Sequence, residues 1–281
     1  MGLALKLLLV LPACILIAFL AARTGVFANP GAPIVADVVA TDPVDLSTCS
    51  TVLVWCNATV TDDDTWEDID NVNATLWDSL NSNEEASDDN SLHYTNYSCV
   101  LETNISLYTV TVNCSFTVEY YANPSNWTCK IYANDSTANS ASNSTDNITI
   151  NTLRALDAEA NINFGALAPG VTSASDVNNT VTNCGNVALD LNLNGTNLTN
   201  VSASVANITV SYVKYNVTYP GSDYTVNMTS LSASPTYADF SLAKRTTTTS
   251  TGKTYWKISV PETIENLIYS GTITFTAVED T

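Results

Sequence analysis

The stretch of sequence that best indicates the fold is VLVWCNATVT, at residues 52–61. Its even-numbered positions are apolar, and they alternate with odd-numbered positions that include Asn57, Thr59 and Thr61. A period of two residues is typical of a β-strand with one buried face. VTVNCSFTV, at residues 110–118, shows the same alternation. We therefore predict a strand at each place, with the apolar side chains directed into a core.

The rest of the chain predicts an all-β fold. Many short alternating runs are separated by polar turns, which favours β-sandwiches. The nearest candidate for a helix, residues 61–73, is rich enough in Asp and Asn to be predicted as a loop. NCGN, at residues 183–186, predicts a tight turn between two strands. We place a boundary near residues 151–160 and predict two tandem sandwich domains, at residues 29–152 and 153–281.

Sixteen Asn-x-Ser/Thr sequons are the most unusual feature of the composition. The chain has 31 Asn and 66 Ser and Thr, and a shuffled sequence would give roughly seven sequons. The excess predicts N-linked glycans on an exported protein; the alternative is that some sequons are ordinary strand and turn residues. The predicted acceptors are Asn57, Asn73, Asn96, Asn104, Asn113, Asn126, Asn134, Asn143, Asn147, Asn178, Asn194, Asn197, Asn200, Asn207, Asn216 and Asn227.

The N-terminal residues also predict export. Lys6 precedes an apolar run at residues 7–22, and VFA at residues 26–28 supplies a cleavage site, as in a secretory signal peptide. The predicted signal segment is therefore residues 1–28. Its apolar run is short for a spanning helix and contains Pro12. Retention as an anchor is the alternative, and only in that case do we expect contact with a membrane.

The chain is strongly acidic, with 28 Asp and Glu against nine Lys and Arg and a formal net charge of −19. We exclude nucleic acid as a partner because phosphate contacts need a basic face. Acidic loops can instead bind cations, and the best candidate is a calcium site at Asp62, Asp64, Asp68 and Asp70. A solvated acidic loop is the alternative, since the glycine of an EF-hand loop is absent. The acidic run at residues 84–89 is predicted to be a plain loop.

Several motifs carry a resemblance to known surface proteins. NWTCKIYAND, at residues 126–135, resembles the penultimate strand and turn of PKD-like and Ig-like surface domains. FGALAPG, NCGN and YSGTITF, at residues 164–170, 183–186 and 269–275, resemble Ig-like modules of archaeal surface glycoproteins and, more loosely, camelysin-type fibre subunits. The resemblance implies two tandem Ig-like sandwiches in an archaeal-type secreted surface glycoprotein. The chain departs from antibody modules, because Trp55 directly precedes Cys56.

Six of the seven cysteines lie beyond the signal segment, and in an exported chain they favour disulfides. Cys99 and Cys114 flank a predicted turn, so a hairpin would place them opposite each other. Cys56 and Cys129 would then bridge the two sheets, as in Ig-like domains. The remaining two either link the domains or stay free; these are Cys49 and Cys184.

No arrangement of residues predicts catalysis. His93 is the single histidine and has no Ser or Cys partner pattern, so we predict a structural role for it. Zinc is excluded because no C-x-x-C motif accompanies this histidine. A secreted glycan-active enzyme with two carboxylates is a third class, although 28 acids would supply such a pair by chance.

The stretch from Met228 onward contains no sequon but four basic residues, namely Lys244, Arg245, Lys253 and Lys257. A sugar-free basic surface suggests a protein contact, and we hypothesise that it meets the acidic loop of a neighbouring molecule. The alternative is a set of buried strands and an ordinary loop.

These features predict a secreted, heavily N-glycosylated surface protein with a structural or adhesive role and no catalytic activity. Its expected partners are N-linked glycans and other surface proteins or copies of itself. The alternative is a subunit of an extracellular filament, in which residues 29–39 add a strand to a neighbour's sheet.

Overall fold

The computed structural model describes residues 31–200 and 206–280, so the predicted signal segment lies outside the described residues. Strands dominate these residues, and all strand pairs inside the sheets are antiparallel. This confirms the all-β prediction. The helical segments of this part are two short 3₁₀ helices, Trp66–Asp68 and Val210–Tyr212. Neither has the length and apolar character of a membrane span.

The first eight strands form two four-stranded sheets with the orders β1-β2-β6-β5 and β4-β3-β7-β8. An immunoglobulin sandwich has the same arrangement, with strands ABED on one sheet and CFG, extended here by one strand, on the other. The strands are β1 (Ile34–Ala40), β2 (Thr51–Thr61), β3 (Ile69–Asp78), β4 (His93–Asn96), β5 (Val100–Asn104), β6 (Thr109–Glu119), β7 (Asn126–Asp135) and β8 (Ser140–Thr149).

The alternation of β2 and β6 builds the core of this sandwich. Cys56 and Val60 on β2, and Val112 on β6, are completely buried, whereas the alternate residues such as Asn57 and Thr59 face outward. The loop predicted at residues 61–73 is wrong in part, because β3 begins at Ile69. A bulge near the start of β3 interrupts the period of two there. The sequence pattern of a strand is therefore lost at the point where the acidic residues also favour a loop.

Trp127 fixes the start of β7. It lies two residues before Cys129, is completely buried, and donates its indole N–H to the carbonyl of Asn123 at 3.0 Å. Immunoglobulin domains use a tyrosine in this position, with a hydroxyl that bonds back to the upstream backbone. The disulfide between Cys56 and Cys129 joins β2 to β7 and so connects the two sheets.

The last eight strands form a five-stranded sheet, β13-β12-β15-β10-β9, and a three-stranded sheet, β14-β11-β16. Because β10 and β11 belong to different sheets, the prediction of a tight turn at residues 183–186 is corrected: this segment crosses between sheets. The strands are β9 (Leu156–Ala158), β10 (Val177–Asn183), β11 (Leu189–Gly195), β12 (Val213–Asn216), β13 (Thr229–Ser230), β14 (Thr236–Leu242), β15 (Thr251–Ile258) and β16 (Ile273–Glu279).

Most of the buried apolar residues of the described chain form two clusters, one in each set of strands. Cys99 and Cys114 form a second disulfide, as predicted, and a third, Cys49–Cys184, connects the two sets of strands. Beside it, Asn186 donates its side-chain amide to the carbonyls of Ala122 and Asn151, both at 3.0 Å. The junction is therefore tied both covalently and by buried hydrogen bonds. The predicted limits of the two domains, at residues 152 and 153, stay a prediction.

Candidate functional sites

A large groove, whose lining surface is apolar and polar in similar measure, opens along one side of the second set of strands. It has a volume of about 1520 Å³ and runs between the short edge strand β9 and β16. Leu198, Phe275 and Ile268 are among the side chains that line it, and Ile268 is 83% exposed. The core of this half therefore reaches the surface along this side.

The groove lies where the second sandwich has fewer strands than the first. In the first sandwich β7 is flanked by β3 and β8, whereas β16 pairs only with β11 among the described residues. The corresponding edge of β16 thus presents unpaired backbone N–H and C=O groups beside apolar side chains. Such an edge is a template for strand addition.

A second candidate site is a cluster of three carboxylates at one end of the first sandwich. Asp62 follows β2, Asp68 ends the first 3₁₀ helix, and Asp135 ends β7; one carboxylate oxygen of each lies within 4.8 Å of the others. Asp62 and Asp135 are 1% and 2% exposed, and Asp68 is half-buried. Oxygen donors of this kind suit a hard cation such as calcium.

Hydrogen bonds hold all three of these carboxylates in place, and Oδ1 of Asp68 accepts from the hydroxyl of Ser136. Asp135 accepts bonds from the backbone and hydroxyl of Thr137 and from the backbone and side chain of Asn139, at 2.8–3.0 Å. Oδ1 of Asp62 accepts from the backbone N–H of Asp64 at 2.9 Å. Oδ2 of Asp62 is buried and has no hydrogen-bond partner.

The electrostatics of the cluster differ between its members. Burial raises the pKa of the Asp62 carboxyl, and the nearby charges of Asp68, Asp64 and Asp135 raise it further. Burial also acts to raise the pKa of Asp135, but hydrogen bonds from Asn139 and Thr137 outweigh it and lower this pKa. None of the four ion pairs in the described part of the chain involves the cluster.

The predicted calcium ligands are only partly brought together. Asp62 and Asp68 belong to the cluster, whereas Asp64 and Asp70 are exposed and lie outside the group of three. Sequence reasoning missed Asp135. The sequence did contain a sign of it: Asp62 and Asp135 each occupy a position that the alternation of the preceding strand predicts to be buried, although both are charged.

The sequons form a surface map of the described chain. None of the sixteen predicted acceptors is buried; nine are exposed and seven are partly exposed. The three buried asparagines, Asn179, Asn183 and Asn186, belong to no sequon. Their side-chain amides donate hydrogen bonds to backbone carbonyls inside the protein. Every acceptor is thus outside the core.

The acidic run at residues 84–89 is more ordered than a plain loop. Glu84 accepts a bond from the hydroxyl of Tyr132 and another from Lys130 at 2.9 Å, and these bonds lower its pKa. His93 is 1% exposed, and its ring nitrogens contact Asp88 Oδ1 at 2.8 Å and the carbonyl of Glu84 at 3.1 Å. Both ring nitrogens of His93 therefore contact residues 84–89 and hold this segment against β4.

The basic residues of the sequon-free stretch mostly face their own chain. Lys244 donates to Asn123 at 2.8 Å, and the guanidinium of Arg245 lies 4.5 Å from the ring centre of Tyr121. Lys257 is 8% exposed and donates to the carbonyl of Ser222 at 2.8 Å. The hypothesis of a basic surface that meets a neighbour's acidic loop loses the support of these three residues. Lys253 is exposed.

No protein-family model matches this chain, and no curated protein matches it. Among solved structures, it is similar to a DUF4466 family protein from Parabacteroides merdae, with 8% identity over 82% of this chain and 99% of that chain and a TM-score of 0.26. It is also similar to the C-terminal domain of the AgI/II polypeptide BspA of Streptococcus agalactiae, with 11% identity over 89% and 97% and a TM-score of 0.23. Both TM-scores are too low to indicate a shared fold.

Proposed function

We propose that this chain is a secreted, heavily N-glycosylated protein of a cell surface, with a structural or adhesive role and no catalytic activity. The observation that carries the proposal is the location of all sixteen sequon asparagines outside the core, while the three buried asparagines belong to no sequon. Three disulfides add support, since they persist in oxidising compartments. An archaeal origin is part of the proposal and rests on the resemblance alone.

Glycopeptide mass spectrometry of the protein from its native cells tests this proposal. We expect glycans on most of the sixteen acceptors and an intact mass well above the 30.0 kDa of the bare chain. Asn179 serves as an internal control, because it is buried and follows the acceptor Asn178 directly. An intact mass equal to that of the processed polypeptide alone would overturn the proposal.

A second, finer proposal is a filament subunit that assembles by strand addition. The free edge of β16 beside the groove favours it, because an added strand would cover the apolar side chains of the groove and pair that edge. We commit to the N-terminal segment of a second copy, residues 29–39, as the added strand. Within one chain, residues 34–40 already pair with β2, so assembly requires the exchange of this strand between copies.

Two sets of variants test the filament. Cysteines at Ile34 and Thr61, which lie opposite each other on β1 and β2 and belong to no sequon, would lock β1 in its own sheet and abolish fibres seen by electron microscopy under non-reducing conditions. Ile268→Lys, in the groove, should also abolish fibres. Leu80→Lys is the matched control, since Leu80 is 77% exposed and lies in the first sandwich. Fibres of normal length from the locked variant would exclude strand exchange.

A further inference from the structure

The end of the first sandwich gathers negative charge from three separate segments of the chain. β2 and β7 enter this end from different sheets, and each finishes on the core face with a carboxylate, Asp62 and Asp135. The 3₁₀ helix between β2 and β3 adds Asp68. Three carboxylates that are 6 and 67 residues apart along the chain therefore lie within 4.8 Å of one another.

The convergence has no compensating cation among the described side chains. The ion pairs of this part of the chain involve Asp88, Glu84, Glu279 and Asp176 instead. Buried like charges are costly unless an opposite charge neutralises them. Water screens the repulsion between carboxylates in exposed loops. It cannot do so here, because Asp62 and Asp135 are 1% and 2% exposed.

One atom of the cluster also lacks a partner. Oδ2 of Asp62 is buried without a hydrogen bond, and a buried polar atom left unpaired costs free energy. The other carboxylates keep coordinating capacity, because each ionised oxygen offers two lone pairs. Three of the bonds to Asp135 fall on Oδ1, from Thr137 and Asn139, whereas Oδ2 accepts from the Asn139 side chain and has a second lone pair to offer a ligand.

We propose that Asp62, Asp68 and Asp135 bind one calcium ion, which joins β2, the 3₁₀ helix and β7 at this end of the sandwich. Calcium accepts six to eight oxygens in flexible geometry, so water and backbone carbonyls complete its shell. Extracellular modules bind calcium with Kd on the order of 10⁻⁴–10⁻³ M. Magnesium binds less tightly, because it demands near-octahedral geometry and holds its water more firmly.

The site is tested on the purified full chain, freed of metal with EDTA and held at 150 mM NaCl so that diffuse attraction is screened. Titration with CaCl₂ by calorimetry should give one saturable site. At a calcium concentration about ten times Kd, Tm should rise by about 3–6 °C. TbCl₃ provides an independent probe, since Trp66 begins the 3₁₀ helix that contains Asp68 and can sensitise terbium luminescence.

The variants separate this site from general acidity. Asp62→Asn and Asp68→Asn should each weaken calcium binding about tenfold or more, and Asp62→Asn keeps the oxygen that accepts from Asp64. Asp70→Asn is the matched control, because it removes one exposed charge from the same segment outside the cluster. An absence of saturable binding, or an equal loss from Asp70→Asn, would overturn the proposal. The outcome is independent of glycosylation and of filament assembly.

Discussion

The ammonium of Lys244 lies 2.8 Å from the side-chain oxygen of Asn123, in the other set of strands. The amide nitrogen of Asn123 in turn donates to Asp78 at 2.7 Å. A chain of three side chains thus crosses the junction that the disulfide Cys49–Cys184 also bridges. Burial lowers the pKa of Lys244, whereas Asp78 and Asp89 act to raise it.

Replacing Lys244 should weaken this junction. Lys244→Met keeps the length of the side chain but removes the donor, and we expect a loss of about 1–2 kcal/mol, or about 2–8 °C in Tm. The loss stays modest because the buried charge is itself costly. Thermal unfolding followed by circular dichroism measures the change. Lys253→Met, at an exposed position, is the control, and equal Tm values for the two variants would contradict the role of Lys244.

Asp78 should make stability depend on acid pH. Burial acts to raise its pKa, but bonds from Asn81, Leu80 and Asn123 outweigh it, so that the folded-state pKa lies below the ordinary value of 3.8. The ionised form is therefore stabilised by folding, and this stability is present above pH 3.8 and is lost as pH falls through the folded-state pKa.

Asp78→Asn should cost about 3 kcal/mol near neutral pH, because the new amide meets donors that need an acceptor. Urea unfolding at a series of pH values measures the difference from the wild type. We expect this difference to narrow as the pH falls below 3.8. A constant difference across that range would show that the charge of Asp78 is not the cause.

Removal of the two disulfides that close loops of different length should have unequal effects. Cys49 and Cys184 are 135 residues apart, whereas Cys99 and Cys114 are 15 apart. The intact Cys56–Cys129 bond closes off 73 residues and so shortens the long loop to about 62, so in the chain-entropy model the long loop contributes about 4 kcal/mol and the short loop about 3 kcal/mol. Paired serine substitutions at each site, compared by denaturant unfolding, test the order. A larger loss at the short loop would favour local packing over chain entropy.

Gly185 should tolerate no side chain. A Cβ atom there would lie 2.2 Å from the carbonyl oxygen of Leu153, in the segment that joins the two sets of strands. Gly185→Ala should therefore cost about 1–3 kcal/mol and lower the yield of the neighbouring disulfide. Gly31→Ala is the control, because its Cβ would meet only ordinary contacts at 3.6 Å or more. Free-thiol titration and thermal unfolding measure the two effects.

Alternation along the sequence predicted the strands and the inward residues of the first sandwich, because burial of one sheet face imposes a period of two. The same pattern failed at β3, where a bulge shifts the register. It also failed at residues 183–186, because a turn motif specifies local backbone geometry and leaves open which sheet the next strand joins. The assignment of β10 and β11 to separate sheets depends on distant partners.

The sites were less predictable than the strands. The acidic loop indicated Asp62 and Asp68, but Asp135 lies 67 residues beyond Asp68 and reaches them only through the pairing of β3 with β7. Likewise, the number of basic residues in the sequon-free stretch led to the hypothesis that Lys244 and Arg245 contact a neighbouring molecule. Their contacts with Asn123 and Tyr121 arise from the packing of the two halves of the chain.

The disulfide Cys49–Cys184 also decides how the molecule responds to a pulling force. Tension applied before Cys49 and after Cys184 passes through the sulfur–sulfur bond, so the intervening chain, which includes β2 to β10, carries no load. Of the 135 residues between these cysteines, the Cys56–Cys129 bond already closes off 73, so the Cys49–Cys184 bond removes a further 62 residues, or roughly 205–225 Å of extensible length. On a surface exposed to shear, most of the first sandwich would stay folded while the strands that follow Cys184 bear the strain.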